Sequence, residues 1–169
     1  KEAANIVDKI YSTIIDAGTY MASSIMVAEA AKVIENTQRD INIALVNELA
    51  VICNKLGIDT NDVLQAAKTK WNFIDFSPGL VGGHCLPVDP YYLSYYANKS
   101  KFKTKVTLAG RNINNYMEKF VFEKIYKKIL EVKNITKKKI VIAGLTYKPN
   151  VANLRNSLAI KIYRRLKNH

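Results

Sequence analysis

Apolar residues recur at helical spacing along most of the chain. The first run, Ile6, Val7, Ile10, Tyr11, Ile14 and Ile15, predicts a helix over residues 1–17 with Gly18 as its stop. After a linker around Gly18 to Ala22, Ser23 or Ser24 can cap a second helix, and neither proline nor glycine interrupts the sequence before Gly57. At 1.5 Å per residue that helix is on the order of 45–50 Å long, more than a small domain needs. Its apolar stripe, Val27, Ala31, Ile34, Ile41, Leu45, Ile52 and Leu56, is interrupted at Gln38 and suits packing on neighbouring helices or on a second subunit. Cys53 lies inside this apolar segment and reads as core. A short helix over Thr60 to Lys68 leads into KTKWNFIDF, whose Trp71, Phe73 and Phe76 are expected to pack beneath the next loop, with stacking on a ligand ring as the alternative. A helix rich in tyrosine (Tyr91, Tyr92, Tyr95, Tyr96) and a long amphipathic one from Val106 to Val132 follow.

The period then changes. KIVIAG, Lys139 to Gly144, is a short apolar run bounded by glycine and predicts a buried strand; TYKPNVANLRNS then connects it to a helix over Ser157 to Leu166. The expected fold is therefore mainly α: a helical domain over residues 1–135 built on one long spine helix, followed at 136–169 by the first strand and helix of an α/β unit. One strand and one helix do not make a stable α/β domain, so the sequence reads as part of something longer.

Composition narrows the function. A content of 49% hydrophobic and 24% charged residues, with no apolar run of membrane-span length and no signal peptide, predicts a cytoplasmic globular protein without a membrane partner. Two cysteines and two histidines, one of them the terminal His169, offer neither a disulfide framework nor a zinc set, so free thiols and no metal are expected. The net charge of +12 implies affinity for anions. The basic residues are spread along helical patterns, with one cluster at Lys137 to Lys139 and no nucleic-acid motif, which argues against nucleic acid as the partner. A phosphorylated small molecule would engage only a few of them.

Candidate chemistry concentrates in the loop Ser77 to Tyr91, SPGLVGGHCLPVDPY. Gly82 and Gly83 permit backbone conformations closed to other residues and leave room for a ligand against the main chain. Asp89 and Pro90 fit an N-cap and first-turn proline, placing Cys85 just before a helix start, where the dipole favours a thiolate. The alternative is a buried, inert cysteine. On the long helix, Lys32, Asn36 and Arg39 fall at steps of four and three and share one face. That face is either a solvated stripe or a set of donors that would stabilise an oxyanion opposite a nucleophile.

Three stretches, VAEAAKVIENTQRDINIALVNELA, TKWNFIDFSPGLVGGHCLPVDPYYL and GLTYKPNVANLRNS, together resemble the UDP-glucose/GDP-mannose dehydrogenase family of nucleotide-sugar 6-dehydrogenases. The wording TKWNF into PGLVGGHC is most similar to members that oxidise UDP-N-acetylglucosamine or UDP-N-acetylgalactosamine for capsule and O-antigen synthesis. The resemblance implies a helical middle domain that dimerises through the helix 24–56, followed by the start of a Rossmann-like UDP-binding domain. It also implies an N-terminal NAD-binding domain of which this sequence shows no fingerprint, so that the stretch alone should not turn over NAD. The implied reaction is a two-step oxidation of the sugar C6 alcohol to a carboxylate, with NAD as acceptor. Cys85 matches the nucleophile, Lys32 and Asn36 the residues that steady oxyanions and hold water, and Asp89 the carboxylate that handles the proton. Arg39, Gly82, Gly83, Tyr147, Lys148 and Arg155 match contacts to the UDP-sugar. Two departures stand out. Thr69 and Trp71 replace a His and an Arg of the N-acetylmannosamine enzymes, and Asn153 stands where the family often has Asp. UDP-glucose 6-dehydrogenase, and a non-catalytic dimerisation and UDP-sugar-binding module, are the alternatives.

Overall fold

Ser24 and Gly57 delimit the element on which the rest is assembled. The structure, a computed structural model, describes residues 2–132 and 139–168. Six helices are formed among them: α1 (Glu2–Ser12), α2 (Ile25–Leu56), α3 (Thr60–Lys68), α4 (Asp89–Lys99), α5 (Val106–Glu131) and α6 (Leu158–Lys167). The Ser24 hydroxyl accepts from the Val27 N–H and opens α2, while Gly57 closes it at φ 72°, a left-handed conformation that costs glycine nothing. Asp59 caps α3 and Ser157 caps α6 in the same way. None of the helices is long and apolar enough to cross a membrane.

Helix α2 packs against α3, α4 and α5, α4 also meets α5, and α5 carries α6. Gly110 makes the crossing of α2 and α5 close: a Cβ there would stand 3.4 Å from Ile41 and 3.5 Å from Ala44. Cys53 is core, as expected, at 1% exposure. Arg165 joins α6 to α5 by an ion pair with Glu118 at 2.7 Å and by lying over the Phe122 ring.

Three expectations are corrected and one is resolved in part. First, α1 ends at Ser12 rather than near residue 17. The Ser12 and Thr13 hydroxyls bond back to the carbonyls of Asp8 and Ile10, and the β-branched run Thr13, Ile14, Ile15 is a poor helix former. No residue of α1 is buried. Second, the long apolar stripe of α2 is turned into this chain only in part, at Ile41 by the α5 crossing. Val27, Ile34, Leu45, Ile52 and Leu56 are exposed, whereas the inward face carries Asn36, Thr37, Asp40 and Asn47. Of the two uses the stripe suits, a second subunit is the one left open by the chain's own packing. Third, Trp71 does not pack beneath the loop; it is 96% exposed, while Phe73 and Phe76 are half-buried. Fourth, Lys139–Gly144 forms no strand, and the described residues contain none. A strand exists by its ladder, and among the described residues no second extended run is bonded to this segment; Val141 is 77% exposed. The expected boundary between 135 and 136 lies outside the described residues.

Candidate active site

The cysteine loop is fixed at its entrance by a buried polar network that the sequence did not announce. Asp40 on α2 is fully buried; its Oδ1 accepts from Arg111 Nη1 at 2.6 Å and from Asn114 Nδ2 at 2.7 Å, both on α5. Asn114 Oδ1 accepts from Asn47 Nδ2 (2.8 Å), and Asn47 clamps Gly79 from both sides, donating to its carbonyl at 3.0 Å and accepting its N–H at 2.8 Å. Arg111 continues to Asn115, whose amide meets the Tyr91 hydroxyl of α4 at 3.2 Å. One chain of bonds thus runs from the first turn of α4 through the α2–α5 interface to the start of the loop. Burial pushes the Asp40 carboxyl above its ordinary 3.8, and Arg111 and then Asn114 pull the other way.

Farther on, the loop is held by the segment before α6. Asn156 Nδ2 donates to the Gly83 carbonyl at 2.8 Å, and Gly83 itself has φ 94°. A Cβ on Gly83 would fall 2.8 Å from the Tyr147 ring, and one on Gly82 would fall 2.9 Å from the Asn156 carbonyl. The close approach that these glycines permit is therefore by the protein's own residues, Tyr147 and Asn156. His84 lies edge-on to the Tyr147 ring; it stands 2.8 Å from the Asn153 amide nitrogen and accepts from Arg155 Nη1 at 3.2 Å. Four of the predicted residues, Gly82, Gly83, Tyr147 and Arg155, are brought together in this way. Lys148 lies on the same segment with its carbonyl accepting from the Thr146 hydroxyl at 3.0 Å, and its side chain is exposed.

Cys85 is exposed, and its carbonyl accepts the N–H groups of Val88 and Asp89, which sets the thiol one turn ahead of α4. Asp89 is not the N-cap: Val88 holds that position without a side-chain bond, and Asp89 is the first helical residue, followed by the buried Pro90. Its carboxylate is free to turn to α2, where Oδ2 accepts from Asn36 Nδ2 at 2.6 Å. Asn36, fully buried, in turn accepts from Arg39 Nη2 at 2.5 Å. The predicted face Lys32, Asn36, Arg39 is thus joined to the cysteine turn through Asp89. Glu35, not singled out from the sequence, belongs to it as well, at 3.0 Å from Lys32 Nζ and 2.9 Å from Arg39 Nε. Its spacing, three after Lys32 and four before Arg39, was the available signal.

The two thiols differ in access, and that is measurable. In timed alkylation of the native protein with iodoacetamide, read by peptide mass spectrometry, Cys85 is expected to react on the order of 100-fold faster than Cys53, which waits on opening of the α2 core. Equal rates would contradict the exposed placement of Cys85.

A long helix bearing amides and cations is thus joined by one carboxylate to the turn that carries an exposed thiol, in a mainly helical chain. Residues 26–116 match the central domain of the UDP-glucose/GDP-mannose dehydrogenase family, and the chain belongs to that family. It is 52% identical over 166 residues to UDP-N-acetyl-D-glucosamine 6-dehydrogenase of Pseudomonas aeruginosa, covering 98% of this chain and 39% of that protein. It is also 52% identical to protein CapL of Staphylococcus aureus, covering 99% and 40%. The structure of the UDP-D-ManNAc dehydrogenase from Pyrococcus horikoshii superimposes with a TM-score of 0.80 at 33% identity, over 99% of this chain and 40% of that one. The chain thus spans about two fifths of the length of the relatives it matches.

Proposed function

We propose that this chain is the thiol-bearing part of an NAD-dependent UDP-N-acetylhexosamine 6-dehydrogenase serving surface-polysaccharide synthesis, and that it pairs with a second copy through α2. The observation that carries the reading is the Asn36–Asp89 bond, which unites the donor face of α2 with the turn holding Cys85. Among the described residues no strand leads through a glycine-rich turn into a helix, so these residues do not themselves fit a dinucleotide. When bound by the rest of the enzyme, NAD supplies the acceptor for the two hydrides. The residues in hand do the remaining work. After the C6 alcohol has become an aldehyde, the Cys85 thiolate adds to its carbonyl carbon to give a thiohemiacetal, and Lys32 and Asn36 donate to the oxyanion. Loss of the second hydride leaves a thioester; water adds to it as Asp89 takes one of its protons, the C–S bond breaks to release the thiolate and a carboxylic acid, and the acid gives its proton to solvent. Arg39 and Arg155 are the cations for the diphosphate, with Tyr147, Lys148 and the Gly82–Gly83 backbone lining the nucleotide side.

Greater identity to an N-acetylglucosamine enzyme than to the N-acetylmannosamine enzymes supports the choice of sugar. Thr69 and Trp71 support it too. The exposed stripe of α2 supports the pairing. The test is to express the open reading frame that contains this chain and follow NADH with UDP-GlcNAc, UDP-GalNAc and UDP-glucose. Two NADH per N-acetylated sugar is expected; turnover of UDP-glucose alone would move the assignment to that substrate, and none at all would sink the reaction.

A further inference from the structure

The proposed chemistry gives Glu35 no part, although it is the most heavily engaged residue on the donor face. Its Oε2 accepts from Lys32 Nζ at 3.0 Å and from Arg39 Nη2 at 3.3 Å, and its Oε1 stands 2.9 Å from Arg39 Nε. Glu35 therefore holds Arg39 by one hydrogen bond, from Nη2, and by the close approach of opposite charges at Nε, which together restrict where the guanidinium can swing. The same Arg39 Nη2 reaches Asn36 Oδ1, and Asn36 reaches Asp89. One carboxylate accordingly sits between the cation assigned to the oxyanion and the cation assigned to the diphosphate. Without it, two positive side chains about two turns apart on one face would be left unpaired, and each would recover its rotamers. The Glu35 carboxyl is held below its ordinary 4.5 by the hydrogen bond from Lys32 first and by the charges of Arg39 and Lys32, so it is ionised at neutral pH. Exposed pairs of this spacing do little for fold stability. What the arrangement does fix is the direction of both cations.

We propose that Glu35 is a positioning residue that aims Lys32 at the reacting carbon and Arg39 at the diphosphate. The inference rests on the reaction proposed above. Its test uses the full-length enzyme with Glu35→Ala, Glu35→Gln and Glu35→Asp, and Glu29→Ala as an exposed control on the same helix. In Glu35→Ala, kcat is expected to fall by about 10- to 100-fold, the scale of a small misplacement of a catalytic group. KM for the UDP-sugar rises separately because Arg39 is released; Glu35→Asp restores part of both, and Glu29→Ala stays at the wild-type values. The Arg39 Nε–H resonance, assigned with Arg39→Lys, is expected to broaden or split in Glu35→Ala as the guanidinium samples several orientations, with the thermal midpoint unmoved. Glu35→Ala retaining kcat and KM within twofold, or leaving the Arg39 resonance unchanged, overturns the proposal. A wild type that makes no NADH sinks the reaction and this role together, which the control distinguishes from a failure of Glu35 alone.

Discussion

Cys85→Ala is expected to lower steady-state turnover by on the order of 10³-fold or more, about 4 kcal/mol at 1.36 kcal/mol per decade, and to cut the yield to at most one NADH per sugar. The two parts of that result have different causes. Removing the thiol leaves the first oxidation, of an alcohol, without a covalent requirement. The second starts from an aldehyde, and a hydride can leave only once a nucleophile has made that carbon tetrahedral. In the mutant this falls to water, with Asn36 and Asp89 still paired behind it. Cys85→Ser separates nucleophilicity from shape: the hydroxyl fits the same exposed turn, yet ionises far less readily than a thiol. Its NADH yield should be close to that of alanine. A Cys85→Ala enzyme that still delivers two NADH per sugar at a wild-type rate would remove the thiol from the mechanism.

The boundaries of α2 and the starts of α3 and α6 were legible because each is written locally, in Ser24 and Gly57, in Asp59 and in Ser157. The candidate site was legible for a different reason, since the glycine–cysteine loop and the three-and-four spacing of Lys32, Asn36 and Arg39 need no tertiary information. Asp89 shows where local reasoning stops. Asp-Pro before a helix reads as a cap, but two N–H bonds to the Cys85 carbonyl start the turn earlier and leave the carboxylate for Asn36. The polar network was invisible because its members, Asp40, Asn47, Arg111 and Asn114, meet across 67 to 74 residues and each alone looks like an ordinary surface residue. Trp71 and the 139–144 run fail on the assumption that apolar residues find cover within the chain that carries them.

Asp40→Ala is expected to destabilise the fold by about 3–5 kcal/mol in urea unfolding, the cost of stranding a buried charge. The side chains of the pair are 0% and 3% exposed, and the Arg111 guanidinium would keep only Asn115 as a side-chain acceptor. Against a total stability of roughly 5–15 kcal/mol that loss is severe. It should also reach the cysteine loop, because Asn114 loses its acceptor on the Asp40 side chain, keeping only the Asp40 backbone carbonyl, and with it the register in which it presents Oδ1 to Asn47, the clamp on Gly79. The double variant Asp40→Leu with Arg111→Met is expected to recover most of the loss, since it leaves no unpaired charge. Persistence of the full deficit in the double variant would mean that the pair itself, not the stranded cation, was stabilising. A pH series adds an independent check. Burial raises the Asp40 carboxyl above its unfolded value near 3.8, and its Oδ2 has no hydrogen-bond partner to resist protonation. Between the unfolded and the raised folded pKa the native state binds more protons, so this group's contribution is greatest below the unfolded value and is lost as pH rises through the folded one. Asp40→Asn removes that titration. The stability difference between wild type and Asp40→Asn should therefore shift in favour of the wild type as pH is lowered through this window, and a difference independent of pH would show that the carboxyl is not raised.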